Sequence, residues 1–277
     1  MSASPRVRNA TTAGATSAHK ALSVAARTGF CARGVIYLIV AAFITAAALG
    51  SGQRAHGIAG ALQAIADAPA GKAVMLLLAA GLACLAGFLA VAGMRRRVAA
   101  SFAKRWLIRL GMVGDAVVYA AFMVMALGLV LGWRSGDDAT TQGLAARLFA
   151  HLAGRALVGI VGLGVATGGL GFIIWAWTGD IERRLDLPPR QKHLTAPISR
   201  FGLSGRGAAI ALVGGYLLAA AIDADPSKAH GFGGVLNDLR RTAYGEPLLI
   251  LFALAFGASG FFDFLEVLYR RVDLDQP

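Results

Sequence analysis

Few side chains in this sequence could do chemistry, and most of those that could are arginines and carboxylates set in or beside apolar runs. Asp115 stands six residues after Arg109, which along a helix carries it about 9 Å beyond that arginine. A carboxylate at that depth is costly against lipid, and Asp is too short to reach the interface as Arg can. Asp263, Glu266 and Arg270 recur at i, i+3 and i+7, so a helix puts them on one face. Arg33 and Arg206 occupy the position of Asp115 in the other two copies of an internal repeat described below. Together Arg33, Asp115, Arg206, Asp263, Glu266 and Arg270 form a candidate intramembrane polar cluster. Such a cluster can hold an ion or an anionic solute, or it can lock packed helices by charge compensation, which is the preferred reading. Asp115 is expected to be ionised and paired with Arg33 or Arg206, because three like charges converging on one axis would repel.

A second polar set is His56, Gln142 and His230, which stand at matching places, each just before a glycine. They read as turn or capping residues, with a polar ring at the outer mouth of a central path as the alternative. Two imidazoles outside any HxxxH or HxxE pattern are a poor metal site, and no histidine lies well inside an apolar run where a haem would need it. No glycine-rich phosphate loop and no serine or cysteine beside a credible base is present. An enzyme is therefore not expected, nor is any cofactor. Cys31 and Cys84 stand too far apart in sequence, with no CxxC, to form a disulfide framework or a cysteine metal site.

The elements that must position these residues follow from composition. Of 277 residues, 57% are hydrophobic and 15% charged, too apolar for a soluble domain of this size. The net charge of +12 would suggest nucleic acid in a soluble protein, but the basic residues fall between apolar runs and form no stripe, so nucleic acid is not expected as a partner. Six segments can span a bilayer, near 34–50, 73–94, 110–132, 156–178, 207–222 and 248–268. The first and fifth are short and span only if the turns carrying Arg33 and Arg206 continue the helix. Residues 1–26, rich in Ala, Ser and Thr, are expected to be a disordered basic tail. In the fourth segment Gly164 and Gly168 give a GxxxG spacing, a signal for close helix packing.

The tail through Arg33, the 95–109 and 183–206 connections and the end of the last helix hold 19 of the 27 basic residues. That bias sets both termini in the cytoplasm, with Trp175, Trp177 and Tyr269 in the aromatic belt on that side. The starts of helices 1, 3 and 5 share one spacing: Arg27, Gly29, Arg33; Arg109, Gly111, Asp115; Arg200, Gly202, Arg206. The outer connections agree too, with HGIAGAL, QGLAARL and HGFGGVL each leading through Gly71, Gly154 or Gly245 into the next helix. The unit is a helical hairpin repeated over 27–97, 109–184 and 200–272, with a short amphipathic helix in each outer connection. Those short helices are expected to lie in the interface over the outer end of the bundle, burying residues such as Leu148 and Leu236. Each unit begins and ends on one side, so the copies are parallel. The fold class is an all-α integral membrane protein whose six transmembrane helices make three parallel hairpin repeats with pseudo-threefold symmetry.

The openings ARTGFCARGVIYL and SRFGLSGRGAAI and the outer stretch GALQAIADAPAGKAVMLLLAAGLACL resemble the bacterial "domain of unknown function 1206" membrane proteins. Repeat 2 departs from that pattern, with Asp115 and Ala116 where the others have Arg and Gly. The resemblance implies six helices in a bacterial inner membrane and supplies no activity and no catalytic residues. The preferred function is a non-enzymatic structural or interaction protein. The alternative is a channel or transporter for an ion or small solute through or between the repeats. Expected partners are the lipid bilayer and a second copy or another membrane protein.

Overall fold

The computed structural model describes residues 5–50, 57–95, 102–133, 137–179 and 189–269, with side chains in α1 from Ser23 onward, in α4 at Arg109 and from Gly111 onward, in α5 from Thr141 onward and in α7 from Thr195 onward, and without those of residues 95 and 152. Among the described residues every regular element is helical: α1 (Pro5–Ala48), α2 (Ile58–Ala66), α3 (Gly71–Arg95), α4 (Phe102–Val130), α5 (Asp137–Phe149), α6 (Leu152–Thr178), α7 (Pro189–Asp223), α8 (Phe232–Arg240) and α9 (Gly245–Tyr269), plus a 3₁₀ turn at Pro226–Lys228. Six of them, α1, α3, α4, α6, α7 and α9, are long and apolar enough to cross a membrane. The chain is a multi-pass helical membrane protein built from three tandem hairpins.

Two helices run further than hydropathy alone implies. The spanning parts of α1 and α7 are Ser23–Ala48 and Thr195–Asp223, reaching well before 34 and 207. Thr195, Ser199, Arg33 and Arg206, which interrupt the apolar runs, are buried against neighbouring helices, so their polarity faces protein and not lipid. The stretch expected as a disordered tail is helical from Pro5 onward, continuous with the rest of α1. Its alanines, the best helix formers, are reason enough for the backbone to continue α1.

The recurring glycine before each returning helix has a steric cause. A Cβ at Gly71, Gly154 or Gly245 would lie 2.2, 2.1 or 2.3 Å from the carbonyl oxygen of Ile65, Leu148 or Arg240 respectively, where the short outer helix ends. Only hydrogen fits, which is why this anchor repeats at all three places.

Packing runs around the axis in one sense. The second helix of each hairpin packs on the first helix of the next: α3 on α4, α6 on α7, and α9 back on α1. These joints rest on small residues, as helices in lipid require. Gly169 faces Gly207, and Gly162 faces Gly214, while Gly34 meets the Gly260 backbone at 3.2 Å from an added Cβ. The contact on α6 therefore uses Gly162 and Gly169. Gly164 and Gly168, the expected GxxxG pair, have nothing within 4 Å.

The hairpins themselves differ. Hairpins 1 and 3 close, α1 on α3 and α7 on α9, but α4 and α6 share no comparable packing. The glycines make the comparison direct. A Cβ at Gly29 would lie 2.6 Å from Leu85, and one at the equivalent Gly202 would lie 2.7 Å from Ser259, whereas one at Gly111 would meet nothing within 4 Å.

The outer helices also divide. Val235 of α8 is wholly buried, and Leu62 of α2 and Leu236 of α8, also wholly buried, join an apolar core with Val40, Ile44, Met75, Leu82, Leu249, Phe252 and Phe256. On α5, by contrast, Leu144 and Leu148 are exposed while Ala145 is buried. Leu148 is thus not buried against the protein as Leu236 is. With hairpin 2 open there is no α4–α6 wall for its leucines to cover.

Candidate functional site

Beneath that apolar core, toward the end of the bundle that carries the termini, a buried polar network crosses the axis. The tight α1–α9 joint at Gly34 brings Arg33 against the α9 face that carries Asp263 and Glu266. The Arg33 Nε donates to Asp263 Oδ2 at 2.8 Å, and its Nη2 reaches both Asp263 Oδ1 and Glu266 Oε2, the latter at 3.1 Å. Its Nη1 donates to the Tyr119 hydroxyl at 3.3 Å. Asp263 is fully buried and Arg33 and Glu266 nearly so. A bidentate carboxylate plus a second acid suits the planar fork of a guanidinium, and desolvation makes this pairing obligatory.

Arg206, the α7 equivalent, is handled differently. Its Nη2 donates to the same Tyr119 hydroxyl at 3.1 Å, and its Cζ lies 4.8 Å from the Tyr37 ring centre and 5.4 Å from that of Phe172. Its environment is aromatic: no carboxylate lies within ion-pair distance among the described residues. Cation–π contacts of this kind strengthen when water is excluded. Since Tyr119 accepts from two guanidinium groups, both lone pairs are occupied and its own proton is directed to the Tyr37 hydroxyl, 3.5 Å away. One phenol from α4 thus joins the arginines of α1 and α7.

Of the sequence-derived cluster, Arg33, Arg206, Asp263 and Glu266 come together here. Asp115 does not pair as expected: it is exposed and makes no ion pair among the described residues, although it lies in the electrostatic field of Arg206 and Arg33. The reason is the open hairpin, together with the capture of Arg33 by two acids of α9. Arg270 lies outside the described residues. Tyr37 and Tyr119 were missed from sequence, yet each follows the key position, Arg33 or Asp115, by four residues and so shares its helix face.

Two members of the outer polar set, Gln142 and His230, have partners of their own. His56 lies outside the described residues. The Gln142 amide donates to the Ser227 carbonyl at 3.0 Å, tying α5 to the 3₁₀ turn. His230 sits edge-on to Tyr216 with its Nε2 at 3.5 Å from Asp238 Oδ2. Near them Arg155 of α6 donates to the carbonyls of Ala221 and Ile222, both at 2.6 Å, capping the end of α7. Asp225 accepts from the Ser227 N–H and hydroxyl, which hold its carboxylate below its usual range.

The open hairpin leaves a gap whose walls are known by comparison. Val118 and Val161 are each 47% exposed, whereas their equivalents Ile36 and Leu78, and Ala209 and Phe252, are buried. Where hairpins 1 and 3 carry Phe88 and Phe262, α6 has Gly171, and where they carry Leu85 and Ser259 it has Gly168. Arg206 forms the floor of this gap, between Tyr119 of α4 and Phe172 of α6.

These features define a class first: a three-hairpin helical membrane protein with an arginine-carboxylate-tyrosine network at its axis. The profile of the family described as Domain of Unknown Function (DUF1206) matches three times, over residues 28–96, 110–179 and 201–270, and the chain belongs to that family. It is similar to "Uncharacterized protein YxxB" of Bacillus subtilis (strain 168), 26% identical over 253 residues, covering 89% of this chain and 90% of the relative. No solved structure matches.

Proposed function

We propose that this is a non-enzymatic protein of the bacterial inner membrane that acts by packing and binding, with its polar network serving to join the repeats. The observation that carries this reading is the coupling of Arg33 to Asp263 and Glu266, and of both arginines to Tyr119, directly beneath an apolar core. A conduit along the axis would need the charges to line water. Here Arg33, Asp263 and Glu266 are spent on one another, and Val40, Ile44, Phe252 and Phe256 fill the space beyond. The bias of basic residues supports cytoplasmic termini. Impermeant thiol labelling of cysteines introduced at Gln53 but not at Lys192, with Cys31 and Cys84 replaced, is the expected pattern, and its reverse sinks the orientation.

The functional test is flux. In proteoliposomes the full chain should pass protons or potassium no faster than empty vesicles, and Asp263→Asn should lower the unfolding temperature without creating or removing flux. Transport that depends on Asp263 would overturn the reading.

A further inference from the structure

The gap between α4 and α6 combines two features that the closed hairpins lack. One is an apolar slot open to the bilayer, with Val118 and Val161 on its walls and Gly114, Gly164, Gly168 and Gly171 leaving its width unfilled. The other is unspent charge. Arg206 is only 8% exposed, yet among the described residues its guanidinium donates to a single acceptor, the Tyr119 hydroxyl, and meets no carboxylate. Asp115, one turn before Tyr119 on the same helix, is exposed and unpaired. A bare carboxylate facing hydrocarbon and a buried guanidinium with free donors are both costly, and each calls for an opposite charge.

We propose that this gap is a phospholipid site, occupied by a lipid of the leaflet on the terminus side whose head carries both a phosphate and a primary ammonium. The phosphate faces Arg206, the ammonium faces Asp115, and one acyl chain lies in the glycine-lined slot past Val118 and Val161. The sign pattern selects this headgroup. A purely anionic lipid would satisfy Arg206 but leave Asp115 repelling it, and a cationic amphiphile would do the reverse. The depth fits as well, because both charges lie toward the terminus-side end of the slot and the valines lie beyond them, in the order head then tail. The glycines at 168 and 171 remove the leucine and phenylalanine that fill the equivalent space in hairpin 1, so a polymethylene chain replaces side chains that the sequence has deleted. The site deepens the binding role proposed above and rests on it for its partner.

The test uses the full chain in phosphatidylglycerol vesicles with trace nitroxide-labelled phosphatidylethanolamine or phosphatidylglycerol, reading the motionally restricted fraction by electron spin resonance. Phosphatidylethanolamine should be favoured about tenfold in relative association, the worth of one charge-assisted contact. Asp115→Asn should bring the two lipids to parity, and Arg206→Gln should weaken both. Because Arg206→Gln perturbs the axis, Gly164→Leu with Gly168→Leu is the second variant. An added Cβ at either glycine meets nothing within 4 Å, so the fold should survive while the restricted fraction is lost. Equal restriction of both lipids, unchanged by the leucine pair, would overturn the site. So would a disulfide forming spontaneously between cysteines placed at Gly114 and Gly164, within one chain if the hairpin closes on itself or between chains if a second copy fills the slot. Ion flux in the same vesicles is read separately: flux with lipid retained sinks the non-conducting role and leaves the site, whereas lipid lost without flux sinks only the site.

Discussion

Hairpins 1 and 3 close on themselves and hairpin 2 does not, although all three engage their neighbours in the same way around the axis. At α1–α3 and α7–α9 the contact is made by Gly29 and Gly202 at the start of the first helix, each pressed on the backbone of its returning partner. At α4–α6 the same glycine, Gly111, faces open space. The joints between repeats are therefore the obligatory part of this architecture, and hairpin closure is optional. Charge differs as well. At the α1–α9 joint Arg33 is held by two carboxylates, whereas on α4 of the open hairpin Asp115 makes no ion pair among the described residues.

The sharpest way to break the comparison is through charge. Asp263→Asn removes the bidentate partner of a buried arginine and should cost about 3–5 kcal/mol, whereas Asp115→Asn, at an exposed and unpaired carboxylate, should not lower stability. Chemical unfolding in detergent measures both, and equal losses would mean that Asp115 is paired after all.

A smaller effect separates the outer helices. Leu236→Asp on α8 forfeits about 1.5–3 kcal/mol of apolar burial before any cost of the charge, while Leu148→Asp on α5 should leave stability near that of the parent. If the two melt alike, α5 covers the bundle as α8 does and hairpin 2 is closed at its outer end.

The smallest concerns the glycines. Gly29→Ala forces a Cβ to 2.6 Å from Leu85 and should destabilise by about 1–3 kcal/mol through overpacking. Gly111→Ala should be neutral or stabilising by up to about 1 kcal/mol, since helix propensity improves and nothing is displaced. A matching loss at both positions would erase the distinction between the hairpins.

Much of this was legible without coordinates. Six spans follow from hydropathy because the bilayer fixes helix length, and the three units follow from paired anchors, Arg-x-Gly at the start and a lone glycine before the return. That lone glycine is set by a local clash with the preceding carbonyl, so it recurs wherever the turn recurs. Arg33, Arg206, Asp263 and Glu266 were found as a group because charge inside an apolar run is costly enough to imply partners.

What tertiary structure alone decided is which partner each charge takes and which faces meet. Asp115 was matched to the arginines by symmetry, but Arg33 is bound instead to α9, because the α1–α9 joint at Gly34 and Gly260 brings those backbones close enough for Asp263 to reach it. Tyr119 gives no signal as a linchpin in sequence, since its role comes from two arginines arriving from other helices. Nor does sequence choose Gly162 and Gly169 as the contact on α6 over Gly164 and Gly168. In a soluble helix a polar face marks the side that stays out of the core, but in lipid both faces are apolar, so periodicity is silent and close packing makes the choice.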